Sequence, residues 1–292
     1  MLKFMYKILS AGTSFNWGLG LHFYDRVQKK IELDFNLTQI EQDFNIKNSF
    51  HSILADKLGI QSEVYKRYHY EHLPSILECL EGLKSEIIRN SESIWGEVFE
   101  PNKKVFLPKH ELPYKILIFQ FFNLEKDFFI YNNKIYKLDL HEISTFKESK
   151  AKLINSIEEN IREDFSEKLN DDIHLWTWDR EKWRKKHSSF FIDRFNKFQE
   201  YLKQNNIIFK IIAYMDDFKP FRKMFNSELY VNLHYKDIEY SCVHELIKKE
   251  KLMIKDDLKE YTEDEHPNFL AHKIVAESLY NSIIKDSLYN KL

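Results

Sequence analysis

One serine, Ser14, stands inside a cluster of glycines near the start of the chain. The chain has only six glycines in 292 residues, and three of them, Gly12, Gly18 and Gly20, surround this hydroxyl. The mainly apolar run over residues 4–9 before them is typical of a buried strand. Glycine lets a backbone turn sharply or approach another group closely. A serine on a tight turn after a strand is a candidate nucleophile or phosphate-binding residue; the simpler alternative is that it only caps a helix.

A possible partner for this serine lies near the other end of the chain. Residues 263–268 read Glu-Asp-Glu-His-Pro-Asn, and His266 is a candidate general base because free histidine titrates close to neutral pH. A base of this kind takes the proton from a serine that is otherwise weakly nucleophilic. Either Glu263 or Asp264 can reach the imidazole in a loop and hold its tautomer. The alternative is an ordinary surface histidine, one of 12 in the chain.

Two segments resemble blocks of a known hydrolase family. Residues 12–21, Gly-Thr-Ser-Phe-Asn-Trp-Gly-Leu-Gly-Leu, resemble the Gly-Asp-Ser block of the SGNH (GDSL-like) hydrolases. They are most similar to a phage and marine-bacterial branch that reads Gly-Cys-Ser-Phe-Thr-x-Gly-x-Gly-Leu. Residues 264–276 resemble the closing block, Asp-x-His-Pro-Asn-x-x-Gly-His-x-x-Ile-Ala. The two blocks lie at opposite ends of the chain, as the family requires.

This resemblance implies a serine ester hydrolase that acts through an acyl-enzyme. It assigns Ser14 as nucleophile and His266 as general base, and the spacing in the branch favours Asp264 over Glu263 as the orienting acid. The oxyanion donors it implies are the Ser14 backbone N–H and Asn123, which follows a predicted strand. The implied substrates are small acyl esters, such as O-acetyl groups on carbohydrate, and no metal or organic cofactor is implied.

Two other functions remain open at the level of sequence. One is a catalytically weak or inactive SGNH-fold protein of phage type that binds a glycan or a virion partner. The other is a structural or interaction protein of an unrelated α/β fold, in which the two blocks are not neighbours in space.

Composition excludes several further classes of protein. The chain carries 44 Lys and Arg against 46 Asp and Glu, a net charge of −2, which argues against a general nucleic-acid binder. No apolar stretch approaches the 18 or more residues of a membrane-spanning helix, and the N-terminus does not resemble a secretory signal. Cys79 and Cys242 are too far apart in sequence to suggest a metal or disulfide framework. We therefore expect a cytoplasmic protein, in the host cytoplasm or the virion if phage-encoded.

The pattern of apolar residues predicts an α/β fold. Buried strands are predicted at 4–11, 114–122 and 207–214, and alternation with helices favours a flavodoxin-like α/β/α sandwich with a mainly parallel central sheet. Ser14 and Asn123 each follow a strand, so both should lie at the carboxyl edge of the sheet, where such folds bind ligands. We expect one domain over 1–292 with a helical elaboration around 140–205. Helices are predicted at 17–28, 71–89, 147–165, 180–204 and 273–284, and a further helix is predicted to end at Gly59. A hairpin is predicted at 128–136.

Overall fold

The computed structural model describes residues 7–12, 14–34, 36–64, 114–121, 128–132, 134–137, 143–204, 206–215 and 219–291. Its strands are β1 (Lys7–Ala11), β2 (Gln61–Val64), β3 (Tyr114–Phe121), β4 (Phe128–Tyr131), β5 (Lys134–Lys137), β6 (Ile208–Ala213), β7 (Leu233–Tyr235) and β8 (Ile238–Tyr240). Its α-helices are α1 (His22–Lys29), α2 (Gln39–Lys47), α3 (Phe50–Leu58), α4 (Ile143–Asn155), α5 (Arg162–Trp178), α6 (Arg180–Gln204), α7 (Val243–Glu250), α8 (Ile254–Asp257) and α9 (Phe269–Ile283).

The central sheet is parallel and has the strand order β2-β1-β3-β6. All three strand pairs are parallel, with Leu9 opposite Leu117 and Leu117 opposite Phe209; the β1–β3 register shifts by one residue between Lys7 and Ile8. Strand β3 reads Tyr-Lys-Ile-Leu-Ile-Phe-Gln-Phe, and almost all of it is buried. A nearly continuous apolar strand of this kind needs cover on both faces, as parallel sheets have.

Helices cover both faces of the sheet, so the fold is a three-layer α/β/α sandwich, as the sequence predicts. Successive side chains of a strand point to opposite faces. Leu117 and Phe119 of β3 therefore join one core with α6, whereas Ile116 and Ile118 join the other with α3, α7 and α9. The α6 contribution to the first core includes Phe191, Phe195 and Phe198.

The first helix begins later than the predicted 17–28. A short 3₁₀ helix covers Ser14–Trp17, and α1 starts only at His22. Between them Gly18 and Gly20 have φ angles of 66° and 89°. These left-handed conformations cannot continue a right-handed helix, so the chain turns twice before α1 begins.

The predicted helix over 147–165 is also corrected, because two helices share that segment. Helix α4 ends at Asn155 and α5 begins at Arg162, with a 3₁₀ turn over Glu159–Ile161 between them. Ile157, just before this turn, is buried, and its carbonyl accepts from the Arg162 guanidinium. The linker therefore has its own buried side chain and its own polar contact, and the helix does not continue through it.

Three of the remaining predicted elements are confirmed. Helix α6 covers the predicted 180–204. The β4–β5 hairpin turns at Asn132 with a φ of 47°, and α3 ends at Gly59 with a φ of 67°. Helix α9 begins four residues before the predicted 273, because the Asn268 side chain caps it by accepting from the N–H of Ala271. The helix predicted at 71–89 lies outside the described residues.

Helices α4 to α6 occupy the segment around 140–205 where the sequence predicts a helical elaboration. A single domain over 1–292 remains a prediction. No helix in the described part of the chain is long and apolar enough to span a membrane.

Candidate active site

Ser14 lies at the carboxyl end of β1, where the strand order of the sheet changes direction. Strand β1 pairs with β2 on one side and with β3 on the other. The chain leaves β1 at Ala11 and enters the 3₁₀ helix at Ser14. Open α/β sheets bind ligands at such a switch point, and the half-buried Ser14 lies at this edge of the sheet.

The residues that flank Ser14 anchor its turn to both the core and the strand. The Phe15 ring is buried and stacks on Phe50, with ring centroids 5.1 Å apart. The Asn16 side chain is also buried; it accepts from the Ser10 hydroxyl and donates to the Ser10 carbonyl at 3.3 Å. The serine is thereby held between one apolar and one polar anchor.

The segment that carries His266 is held by backbone hydrogen bonds to the start of α8. The N–H of Ile254 donates to the His266 carbonyl at 2.8 Å, and the N–H of Lys255 donates to the Asp264 carbonyl at 2.9 Å. An isolated antiparallel bridge extends this pairing. The loop is thus a paired strand-like segment, and the position of each side chain along it is fixed.

A side-chain contact joins the same region to α1. The Tyr24 hydroxyl donates to Asp257 Oδ2, and Asn268 Nδ2 donates to the same oxygen at 3.0 Å. Burial, followed by the hydrogen bond and charge of Asp257, raises the pKa of Tyr24 well above its usual value. Tyr24 therefore stays a protonated donor, and it links the helix after the serine turn to the histidine segment.

Ser14, His266 and Asp264 form a continuous hydrogen-bonded chain. The distance from His266 Nε2 to Ser14 Oγ is 3.0 Å, and the distance from His266 Nδ1 to Asp264 Oδ1 is 2.6 Å. A carboxylate only accepts hydrogen bonds, so Nδ1 carries the proton and neutral Nε2 accepts from the serine hydroxyl. The Asp264 side chain is 4% exposed and that of His266 is 25% exposed. Glu263, the alternative acid, is exposed to solvent.

One of the two expected oxyanion donors falls within the described residues. Ser14 is the first residue of a 3₁₀ helix, where N–H groups have no partner inside the helix. Within the described ranges, no backbone carbonyl accepts from this N–H. Asn123, the second expected donor, lies outside the described residues. The Ser14 N–H is therefore positioned to bind an anion that develops beside Oγ.

Two buried histidines lie beneath the serine turn, and sequence reasoning assigned neither a role in the site. His272 stacks on Phe15 with centroids 4.6 Å apart, and its Nδ1 accepts from the Phe50 N–H at 3.2 Å. Burial lowers the pKa of both His272 and His51 to about 3. Both are neutral in the folded protein at pH 7, so neither places a charge beneath the serine turn.

Tyr214 and His244 extend the carboxyl edge of the sheet next to the serine turn. Tyr214 follows β6 directly, and its ring centroid lies 5.9 Å from that of Phe15. The His244 ring lies 6.3 Å from Tyr214, and burial lowers its pKa. The sequence contains a signal for Tyr214, because it is the last residue of the predicted strand 207–214. The carboxyl end of that strand should lie at the same edge of a parallel sheet as Ser14.

Within the described ranges, no group of three or more His, Cys, Asp or Glu side chains is arranged to hold a metal ion.

Comparison with known proteins adds little to this geometry. No protein-family model and no curated protein sequence matches the chain. Among solved structures, the chain is similar to a carbohydrate esterase whose active site displays divergent catalytic and non-catalytic binding functions. The two are 12% identical with a TM-score of 0.35, and the similarity covers 99% of this chain and 72% of the esterase chain. Similarity at this level carries no weight for function, so the site is interpreted from its own residues.

Proposed function

We propose that the protein is a serine ester hydrolase of the SGNH type. The observation that carries this proposal is the hydrogen-bonded chain from Ser14 Oγ through the His266 imidazole to Asp264 Oδ1, with distances of 3.0 Å and 2.6 Å. These distances lie within the reach that proton transfer requires. Ser14 and His266 come from segments about 250 positions apart, and the fold positions each of them independently.

The proposed reaction has two halves. In the first, Ser14 Oγ bonds to the ester carbonyl carbon while its proton passes to His266 Nε2, and the leaving alkoxide then takes that proton as the C–O bond breaks. In the second, His266 removes a proton from water, the hydroxide attacks the acyl-enzyme, and Ser14 Oγ leaves with the proton. Asp264 holds the Nδ1 proton and stabilises the imidazolium that forms in each half.

The negative charge on the carbonyl oxygen needs hydrogen-bond donors during both halves. The Ser14 N–H is one proposed donor because it is free of backbone acceptors in the described residues. Asn123 is the second proposed donor, from its position after β3. Removing one such donor costs about 10²–10³-fold in rate in serine hydrolases.

Small acyl esters are the proposed substrates, with O-acetyl groups on carbohydrate as the most natural case. The likeness of residues 12–21 and 264–276 to the family blocks supports this choice. The Tyr214 ring at the edge of the site offers an apolar surface of the kind that sugars and short acyl chains contact.

The observed geometry favours hydrolysis over the two alternative functions. A non-catalytic relative has no need for a base within hydrogen-bonding distance of the serine, whereas Ser14 and His266 are 3.0 Å apart. A protein of unrelated fold has no reason to bring the two chain-end blocks together.

Turnover of p-nitrophenyl acetate and butyrate tests the proposal. Ser14→Ala should lower kcat by at least about 10³-fold, because members of such a chain act as a unit. Its effect on stability should stay within about 2 kcal/mol, the size of a lost helix cap. Ser156→Ala is the matched control, since this serine also lies at a helix end but is exposed, and its hydroxyl donates to the Leu153 carbonyl, far from His266 in sequence. If wild type and Ser14→Ala are equally inert on both esters, the binding function replaces hydrolysis.

A further inference from the structure

Gly20 lies against the carboxylate of Asp264. A Cβ built on Gly20 would stand 2.5 Å from Asp264 Oδ2 and 2.5 Å from Ile254 Cδ1, closer than real Cβ contacts occur. The φ angle of Gly20 is 89°, a conformation that residues with a side chain rarely adopt. The bare backbone at position 20 therefore forms one wall of the space that holds this carboxylate.

The two oxygens of Asp264 have very different surroundings. Oδ1 accepts from both the backbone N–H and Nδ1 of His266, at 2.9 Å and 2.6 Å. Oδ2 is buried, and within the described part of the chain it has no hydrogen-bond partner. Among the described residues no donor thus fixes the rotation of the carboxyl group from the Oδ2 side, where its neighbours include Gly20 and the Ile254 methyl group.

The lack of a donor at Oδ2 changes how strongly Oδ1, the other carboxylate oxygen, accepts hydrogen bonds. Because no protein donor among the described residues shares the negative charge at Oδ2, Oδ1 is the stronger acceptor for His266. A side chain at position 20 would push Oδ2 away, and rotation of the carboxyl group would then carry Oδ1 away from Nδ1.

We propose that Gly20 is a positioning residue of the active site, whose missing side chain leaves room for the Asp264 carboxylate and keeps it aimed at His266. The proposal rests on the function proposed above. Gly20 acts only through Asp264 and needs no contact with substrate. Its effect should therefore depend on the presence of the Asp264 carboxylate.

Two other glycines with positive φ provide matched controls. Gly59 has a φ of 67°, and a Cβ added there would meet nothing within 4 Å, so Gly59→Ala introduces the backbone strain alone. Gly18 has a φ of 66°, and its Cβ would meet the Asn45 carbonyl oxygen at 2.5 Å. Gly18→Ala therefore adds a comparable clash that does not involve Asp264.

The first readout is catalytic. Gly20→Ala should lower kcat on p-nitrophenyl acetate by about 10²-fold, the effect of a misplacement of about 1 Å, with little change in KM. Gly59→Ala should change neither quantity.

The second readout does not need activity. The Nδ1 proton of His266, held by a carboxylate, should give a far-downfield proton resonance, assigned by its loss in Asp264→Ala. This resonance should disappear or move upfield in Gly20→Ala and persist in Gly59→Ala and Gly18→Ala. If wild type hydrolyses no ester but the resonance behaves in this way, the proposed function fails and the positioning role stands. If Gly20→Ala keeps both wild-type kcat and the resonance, the positioning role is overturned.

A double variant separates positioning from general destabilisation. In the Asp264→Ala background the clashing oxygen is gone, and the remaining close contact, Ile254 Cδ1, is the end of a side chain that can rotate into the space left by the carboxylate. Gly20→Ala should then not slow fluorophosphonate labelling of Ser14 further, and it should lower the unfolding midpoint much less than it does in wild type. This comparison also applies if Gly20→Ala alone fails to fold. If Gly20→Ala is as damaging in the Asp264→Ala background as in wild type, the glycine does not act through the carboxylate and the proposal is wrong.

Discussion

Asp264→Asn is the substitution that best isolates the charge of the acid from its shape. The Asn oxygen can occupy the place of Oδ1, where it still accepts from the backbone N–H and Nδ1 of His266. The variant therefore keeps the tautomer and loses the negative charge. Opposite charges whose centres lie about 4 Å apart interact by about 4 kcal/mol at an effective dielectric constant of 20. A transition state that loses this stabilisation is reached about 10³-fold more slowly.

The assay is kcat and KM on p-nitrophenyl acetate, with the folded fraction checked by circular dichroism. The new amide nitrogen takes the buried place of Oδ2, so stability should fall by about 1–3 kcal/mol. Glu263→Gln is the control, because this neighbouring carboxylate is exposed and screened by water; its kcat should stay near wild type. If Asp264→Asn loses less than about tenfold in kcat, or about 1.4 kcal/mol, the charge of Asp264 does not stabilise the imidazolium. If only Glu263→Gln lowers kcat strongly, the acid is wrongly assigned.

Two further predictions concern stability. Burial lowers the pKa of His51 and His272 to about 3, whereas an unfolded histidine titrates near 6.5; between these values the unfolded chain binds more protons. The free energy of unfolding should therefore fall as pH drops below about 6.5, by about 2 kcal/mol for each histidine at pH 5. Urea titrations at pH 7 and 5 measure this, and an unchanged pH dependence in His272→Gln would contradict it. Lys210→Met should destabilise the fold by about 3–5 kcal/mol, because it leaves Asp286 buried without its partner at 2.8 Å. An unchanged midpoint of urea denaturation would refute this prediction. The kcat per folded molecule should stay at the wild-type value.

The parallel sheet and the place of Ser14 were predictable because they depend on local patterns. The apolar run of β3 indicates a strand covered on both faces, and a serine directly after a strand must lie at the carboxyl edge of a parallel sheet. Gly59 was likewise predictable as a helix end, because its left-handed conformation needs only the local sequence.

The parts of the site that could not be predicted from sequence depend on tertiary contacts. Residue types alone leave both Glu263 and Asp264 open as the acid, and only the resemblance favours Asp264; in the structure the Asp264 carboxylate contacts His266 and Glu263 is exposed. His51 and His272 look like ordinary polar residues of helices in the sequence. Only the packing of α3 against α9 buries them beneath the serine turn.

The late start of α1 shows a second limit. Gly18 and Gly20 can occupy left- or right-handed backbone, and the sequence does not say which. The structure places both in the left-handed region, and at Gly20 the Asp264 carboxylate, about 240 positions away in sequence, leaves no room for a side chain.

Labelling with a fluorophosphonate probe tests the central claim most directly, because the probe reacts only with a serine whose proton a neighbouring base removes. The intact protein should take up one phosphonyl group, and peptide mass spectrometry should place it on Ser14. His266→Gln should slow labelling by orders of magnitude although Ser14 is still present, since the base at 3.0 Å is gone. Labelling at any other residue, or an equal labelling rate in wild type and His266→Gln, would contradict a nucleophile activated by His266.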